Sequence, residues 1–249
     1  MATARQEHDH VFARLLRNPR KRHGAEMLCE GAHRRASGRV PRLRRETRMI
    51  KLPPHAPGMR IGLFGGSFNP PHEGHRLVAL SALRRAGLDA VWVLVTPGNP
   101  LKDPAHLPPF AERFAAVKKC FRHPRIKVTD FEVALRVRYS WQTVEFLQRR
   151  APGAHFVWVM GADNLAGFSR WRRWRDIART LPILVIDRPG STHSAAFGGV
   201  GVWFARWRLP ERQAKQLYRC RPPALILLHG PRSGLSSTLL RSGRHRRTG

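Results

Sequence analysis

From Met59 onward the chain alternates short apolar runs with amphipathic stretches, whereas the 58 residues before it show no sustained period. The runs IGLF, AVWVLVTP, HFVWVMG, PILVID and ALILLHG are rich in β-branched and aromatic residues, as expected for strands buried on both faces of a parallel sheet. A further strand is expected near Ile126 to Phe131, and another near Val200 to Phe204. Helical spacing falls on EGHRLVALSALRRAG, on Pro109 to Phe121, near Trp141 to Arg149, through Ala178, and near Glu211 to Tyr218. A closing helix starts at Ser236 or Ser237. This order predicts an α/β fold: a doubly wound, mostly parallel, Rossmann-like sheet with helices on both faces. Ligands of such sheets collect outside the carboxyl ends of the strands, where the strand order reverses.

Residues 1–58 are dense in arginine and poor in aromatics, the composition of a disordered basic extension. An Arg-rich transit peptide fits poorly with Glu7, Asp9, Glu26, Glu30 and Glu46. An overextended start is the plainer account, with Met49 or Met59 as the alternative first residue. The domain is therefore expected to span 59–249. No apolar run is long enough to cross a bilayer. Cys29, Cys120 and Cys220 fit neither a disulfide framework nor a zinc cage, so a reducing cytoplasm is expected. The formal charge of +30 predicts attraction for polyanions and salt-sensitive, nonspecific RNA binding, but no specific nucleic-acid partner. Arg, Ala, Gly and Pro all have GC-rich codons, which explains much of that bias without a function.

The densest chemistry lies in RIGLFGGSFNPPHEGH, Arg60 to His75. A buried strand ends in Gly65 and Gly66, which let a phosphate approach the backbone, and a helix begins at Glu73, whose amide end attracts anions. His72 and His75 lie one turn apart, so both imidazoles can reach one phosphate chain. A two-histidine metal site is the weaker reading, because the segment offers no third ligand except Glu73. Three more segments follow strand ends. TPGNPLK carries Thr96 and Lys102, although such a loop often marks nothing more. GADNLAGFSRWRRW offers Asp163 as a helix cap or a ribose acceptor, and Trp171 and Trp174 as core residues or stacking faces. LSSTLLR sets hydroxyls and Arg241 at a helix start, a second phosphate site if it is more than a serine cap.

Together these segments resemble the HxGH nucleotidylyltransferase superfamily and, within it, the bacterial nicotinate-nucleotide adenylyltransferases, from Met59 to Arg241. GGSFNPPHEGH and SSTLLR resemble the superfamily's ATP motifs. GADNL, FSRW, TPGNPLK and YSWQT resemble this family in particular. The resemblance implies adenylyl transfer from ATP to nicotinate mononucleotide, giving deamido-NAD and pyrophosphate in NAD biosynthesis, with Mg²⁺ carried by ATP and no metal held by the protein. It implies ATP contacts at Gly65, Gly66, Ser67, Phe68, His72, His75, Gly161, Asp163, Ser236, Ser237, Thr238 and Arg241, with His72, His75 and Arg241 acting on the reacting phosphates. Asn69, Thr96, Lys102, Ser140, Trp171, Arg172 and Arg188 would hold the mononucleotide. Trp171 would stack on its pyridine ring, and the amides of Ser140 and Arg172 would take its carboxylate. Asn69 departs from the family, since many relatives carry aspartate there. The competing readings are pantetheine-phosphate adenylyltransferase or another HxGH enzyme, and a basic RNA-binding protein on a nucleotide fold.

Overall fold

The computed structural model describes residues 50–98, 107–187 and 199–229. Seven strands form one sheet in the order β3-β2-β1-β4-β5-β7-β6. They are β1 (Arg60–Gly66), β2 (Ala90–Val95), β3 (Ile126–Thr129), β4 (His155–Gly161), β5 (Ile183–Ile186), β6 (Arg208–Leu209) and β7 (Leu225–Leu228). Every pairing among them is parallel. The helices are α1 (Glu73–Arg85), α2 (Phe110–Cys120), α3 (Phe131–Ala134), α4 (Ser140–Arg150), α5 (Ala162–Ala166), α6 (Trp174–Thr180) and α7 (Gly199–Trp203), with 3-10 turns at Phe168–Arg170, Ala205–Trp207 and Glu211–Arg219.

The pleat sends alternate side chains into two apolar layers. Ile61, Leu63, Trp92, Leu94, Trp158 and Met160 fill one; Phe64, Val91, Val93, Val157 and Val159 fill the other. Burial on both faces explains the near-continuous apolar runs. Gly62 is needed for packing: a Cβ there would stand 2.8 Å from the Leu88 side chain and 3.0 Å from that of Val159.

Three sequence expectations change. The segment near Val200 to Phe204 is helix α7 rather than a strand, because Val200 and Phe204 are buried together at helical spacing. The strand at Ile126 ends at Thr129, and Phe131 turns away into α3. Residues ahead of Met59 also take part in the fold: Ile50 and Leu52 pack against the core, and the Gly58 N–H donates to the Gly153 carbonyl at 2.7 Å. The segments around Ser236, Ser237, Thr238 and Arg241 lie outside the described residues, as do Lys102 and Arg188.

Glu132 of α3 is buried and accepts a hydrogen bond from the Thr143 hydroxyl of α4 at 2.6 Å. Burial pushes its carboxyl up from the ordinary carboxylate range, against the smaller pull of that hydrogen bond. A carboxyl that holds its proton more tightly when folded contributes stability below its unfolded pKa. That contribution is lost as pH rises through the folded pKa.

Two outcomes follow for stability. Glu132→Gln keeps the acceptor and removes the titration, so its melting temperature should fall less than wild type's between mildly acidic and mildly alkaline pH. Identical pH profiles by scanning calorimetry would contradict the assignment. A chain started at Met59 should melt several degrees below one started at Met49, since losing the Ile50 and Leu52 contacts costs about 1–3 kcal/mol.

Candidate active site

The strand order reverses between β1 and β4: β2 and β3 extend to one side and β5, β7 and β6 to the other. Phe64 pairs with Val159, so the chain leaves β1 at Gly66 level with its exit from β4 at Gly161. Helices α1 and α5 begin just beyond, and their amide ends open on the same crevice. β2 ends alongside, with the Thr96 N–H donating to the Gly66 carbonyl at 3.1 Å.

The turn after Gly66 is built from buried residues. Ser67 and Phe68 are 6% and 3% exposed, so the turn offers the crevice the backbone of Phe68 rather than its ring. Phe68 has φ 47°, a left-handed conformation that costs a large side chain on the order of 1–3 kcal/mol and must be held by its surroundings. Its ring is wedged edge-on against Phe64 at 5.5 Å, Phe121 at 5.6 Å and His75 at 5.1 Å. Gly66 makes room for that wedge, since a Cβ there would sit 3.0 Å from the ring. Gly65 is less constrained, its added Cβ meeting only Trp158 at 3.6 Å.

His72 occupies the N-cap of α1 in extended conformation, and its carbonyl accepts the His75 N–H at 2.9 Å. Its imidazole is buried at 6% exposure, with the ring centroid 3.8 Å from that of His75. The His72 N–H donates to His75 Nδ1 at 3.3 Å. With Nδ1 accepting, the proton of neutral His75 sits on Nε2, which becomes a donor. Glu73 would oppose an anion here, but its carboxylate pairs with Arg76 at 3.1 Å.

Ser140, Trp171 and Arg172 belong to a second group of segments. Ser140 is the first residue of α4, so its N–H has no acceptor within the helix. The turn before it is fixed by Gln142, whose Oε1 accepts the Arg138 and Tyr139 N–H groups at 3.0 Å each. Trp171 is half-exposed and held edgewise by Phe168 at 5.2 Å and Trp158 at 6.0 Å. Trp174, open between two readings on sequence, is core. Arg172 lies over the Tyr139 ring at 5.1 Å and Arg173 over Trp141 at 4.3 Å, which draws the FSRWRRW segment against the residues flanking Ser140. Asp163 is exposed in the first turn of α5 with Gly161 at the cap position, so it is not the helix cap considered from sequence. Asn69 and Thr96 are half-buried at the mouth, and the Thr96 hydroxyl donates to the Gly98 carbonyl at 2.6 Å.

Sequence reasoning missed Arg113, which sits 3% exposed on α2 and donates to carbonyls of both crevice loops. The signal was present: Arg113 stands three residues after Phe110 and four before Val117, a cation on the apolar stripe of its helix. The Glu132–Thr143 pair was also missed.

Residues 63–243 match the family described as cytidylyltransferase-like. The chain is 55% identical over 186 residues to the probable nicotinate-nucleotide adenylyltransferase of Rhizobium meliloti (strain 1021), covering 75% of this chain and 99% of that protein. The protein of the same name from Brucella abortus (strain 2308) is 55% identical over 183 residues, 74% of this chain and 94% of its own. Among solved structures, Plasmodium falciparum nicotinic acid mononucleotide adenylyltransferase in complex with NaAD superposes with a TM-score of 0.56 at 15% identity, covering 74% of this chain and 83% of that one. That likeness is one of fold.

Proposed function

The chain belongs to the nicotinate-nucleotide adenylyltransferase family, and from that membership we propose how its crevice performs the reaction. The enzyme transfers the adenylyl group of ATP to nicotinate mononucleotide, giving deamido-NAD and pyrophosphate in NAD biosynthesis. The phosphopantetheine and RNA-binding readings give way to 55% identity over 99% of a relative named for nicotinate nucleotide.

In our reading the mononucleotide phosphate, already ionised, attacks the α-phosphorus of ATP. A P–O bond forms to that oxygen, and the bond to the bridging oxygen of the β-phosphate breaks, releasing pyrophosphate. No covalent enzyme intermediate is needed, so the protein's work is alignment and stabilisation of charge. The observation that carries this reading is the His72–His75 pair at the start of α1: two imidazoles in contact, with His75 Nε2 set as a donor at the amide end of a helix. Gly65, Gly66, Ser67 and Phe68 supply the turn over which the phosphates lie. Gly161 and Asp163 border the ATP ribose. Ser236, Ser237, Thr238 and Arg241 serve the β- and γ-phosphates.

A Mg²⁺ carried by ATP would neutralise phosphate charge. Among the described residues no group of three His, Cys, Asp or Glu side chains is placed to hold a metal, and imidazole and amide donors suit phosphate oxygens better than a hard cation. In our reading its main ligands would be phosphate oxygens and water. The mononucleotide would be held by Asn69, Thr96, Lys102 and Arg188, with Trp171 against the pyridine and the Ser140 and Arg172 amides on the carboxylate. No helix among the described residues is long and apolar enough to cross a membrane; we place the enzyme in the cytoplasm, without a specific nucleic-acid partner.

His75→Ala should lower kcat by about 10²–10³-fold, the usual cost of one preorganised donor to a developing charge, with the melting temperature little changed. Near-normal turnover would remove His75 from the reaction. Nicotinamide mononucleotide should be the poorer substrate, because its NH₂ faces donors that a carboxylate accepts. Trp171→Ala should raise the KM for nicotinate mononucleotide more than that for ATP. Equal use of both mononucleotides, or an effect confined to ATP, would show the pyridine pocket to be misplaced.

A further inference from the structure

Arg113 reaches the crevice from below, where α2 passes under its two loops. Among the described residues it donates four hydrogen bonds to backbone carbonyls: Nε to Pro108 at 3.1 Å, Nη1 to Ser67 at 2.9 Å and Thr96 at 3.0 Å, and Nη2 to Pro97 at 3.1 Å. The guanidinium carbon lies 5.6 Å from the centroid of the Phe110 ring. Burial pushes its pKa down from the ordinary arginine value, which is high enough that the group stays charged. Such a buried cation persists only when its donors are satisfied, and here the satisfying oxygens come from three separate stretches of chain.

The carbonyls it takes determine where the adjoining amides point. A trans peptide unit carries its C=O and N–H in opposite directions. Drawing the Ser67 carbonyl onto Arg113 therefore turns the Phe68 N–H away from the guanidinium. Drawing in the Pro97 carbonyl does the same for the Gly98 N–H. Phe68 is the residue with φ 47°, a conformation that needs an outside hold, and Arg113 grips the peptide unit directly before it. The two loops so joined are the Gly-Gly-Ser turn after β1 and the exit of β2.

We propose that Arg113 is a positioning residue for adenylyl transfer: by fixing the peptide planes at Ser67 and Pro97, it holds the Phe68 and Gly98 amides toward the reacting phosphates. This rests on reading Gly65 to His75 as the phosphate site. Arginine is required because its planar fork delivers several donors at fixed angles, whereas a lysine ammonium reaches the same carbonyls only as a point on a flexible stem.

The test uses the full chain carrying Arg113→Lys, with Arg113→Ala as a second variant, assayed by pyrophosphate release well below each melting temperature and referred to the folded fraction measured by circular dichroism. Arg113→Lys should fold and lose about 10²-fold in kcat, the scale of a misplaced reacting geometry, while either KM rises less than about threefold. Arg113→Ala should regain part of its lost kcat on addition of methylguanidinium at concentrations that do not unfold it; if this variant does not fold, the lysine variant decides alone. Wild-type kcat in folded Arg113→Lys, or a loss that disappears once activity is corrected for folded protein, would overturn the proposal. His75→Ala assayed alongside separates the two readings. If it is inactive while Arg113→Lys is normal, only the role of Arg113 falls; if both are active, the phosphate site itself has been misread.

Discussion

The parallel pairing of β1 with β4 is the constraint on which the rest of this molecule depends. It brings together two strands far apart in sequence, in a register that sets Phe64 opposite Val159. Chain leaving β1 turns one way to build β2, and chain leaving β4 turns the other way toward β5. The strand order therefore reverses at their carboxyl ends, and helices α1 and α5 begin beyond those ends. The pairing is secured by apolar packing on both faces, with Leu63 and Trp158 in one layer and Phe64 and Val159 in the other. The crevice is thus a consequence of topology, and its chemistry comes from what stands at the two strand exits.

What stands there is mostly backbone. Despite a formal charge of +30, the described part of the proposed phosphate site offers amides, two imidazoles and one buried guanidinium that points at carbonyls. Backbone donors held by packing need little reorganisation as charge moves from the nucleophile to the departing pyrophosphate, and that is where a preorganised site gains over water. The aromatic wedge of Phe64, Phe68 and Phe121 serves this purpose by fixing both the turn and the His75 ring. Exposed arginines have a different use on the other wall, where Arg172 and Arg173 clasp Tyr139 and Trp141.

How much of this was legible in the sequence depended on the range of the interaction. Strands β1, β2, β4, β5 and β7 could be read because burial on both faces writes itself as consecutive apolar residues. The turn from β1 into α1 could be read because Gly66, His72 and His75 are close in sequence and chemically distinctive. The segment at Val200 misled because five residues with two valines carry too little periodicity to separate strand from helix, and only the packing of Val200 and Phe204 decides it. Ile50 and Leu52 were hidden among arginines. Arg113 was the largest omission: its partners are carbonyls of residues 46 and 17 positions away, and backbone acceptors leave no trace in side-chain identity. The Glu132–Thr143 bond escaped for a related reason, since a single acidic residue near a turn reads as solvated until its burial is known.

The account's central claim is that one crevice, at the exits of β1, β2 and β4, holds both nucleotides through backbone amides. Amide chemical-shift changes on titrating the full chain with deamido-NAD, followed by heteronuclear NMR, test it most directly. The account predicts the largest changes at Phe68, His75 and Gly98 on the phosphate side and at Ser140 and Arg172 on the pyridine side, saturating together with one binding curve. Changes concentrated instead along the basic groove between Lys51 and Lys127 at the β3 edge, with the five amides unmoved, would contradict it.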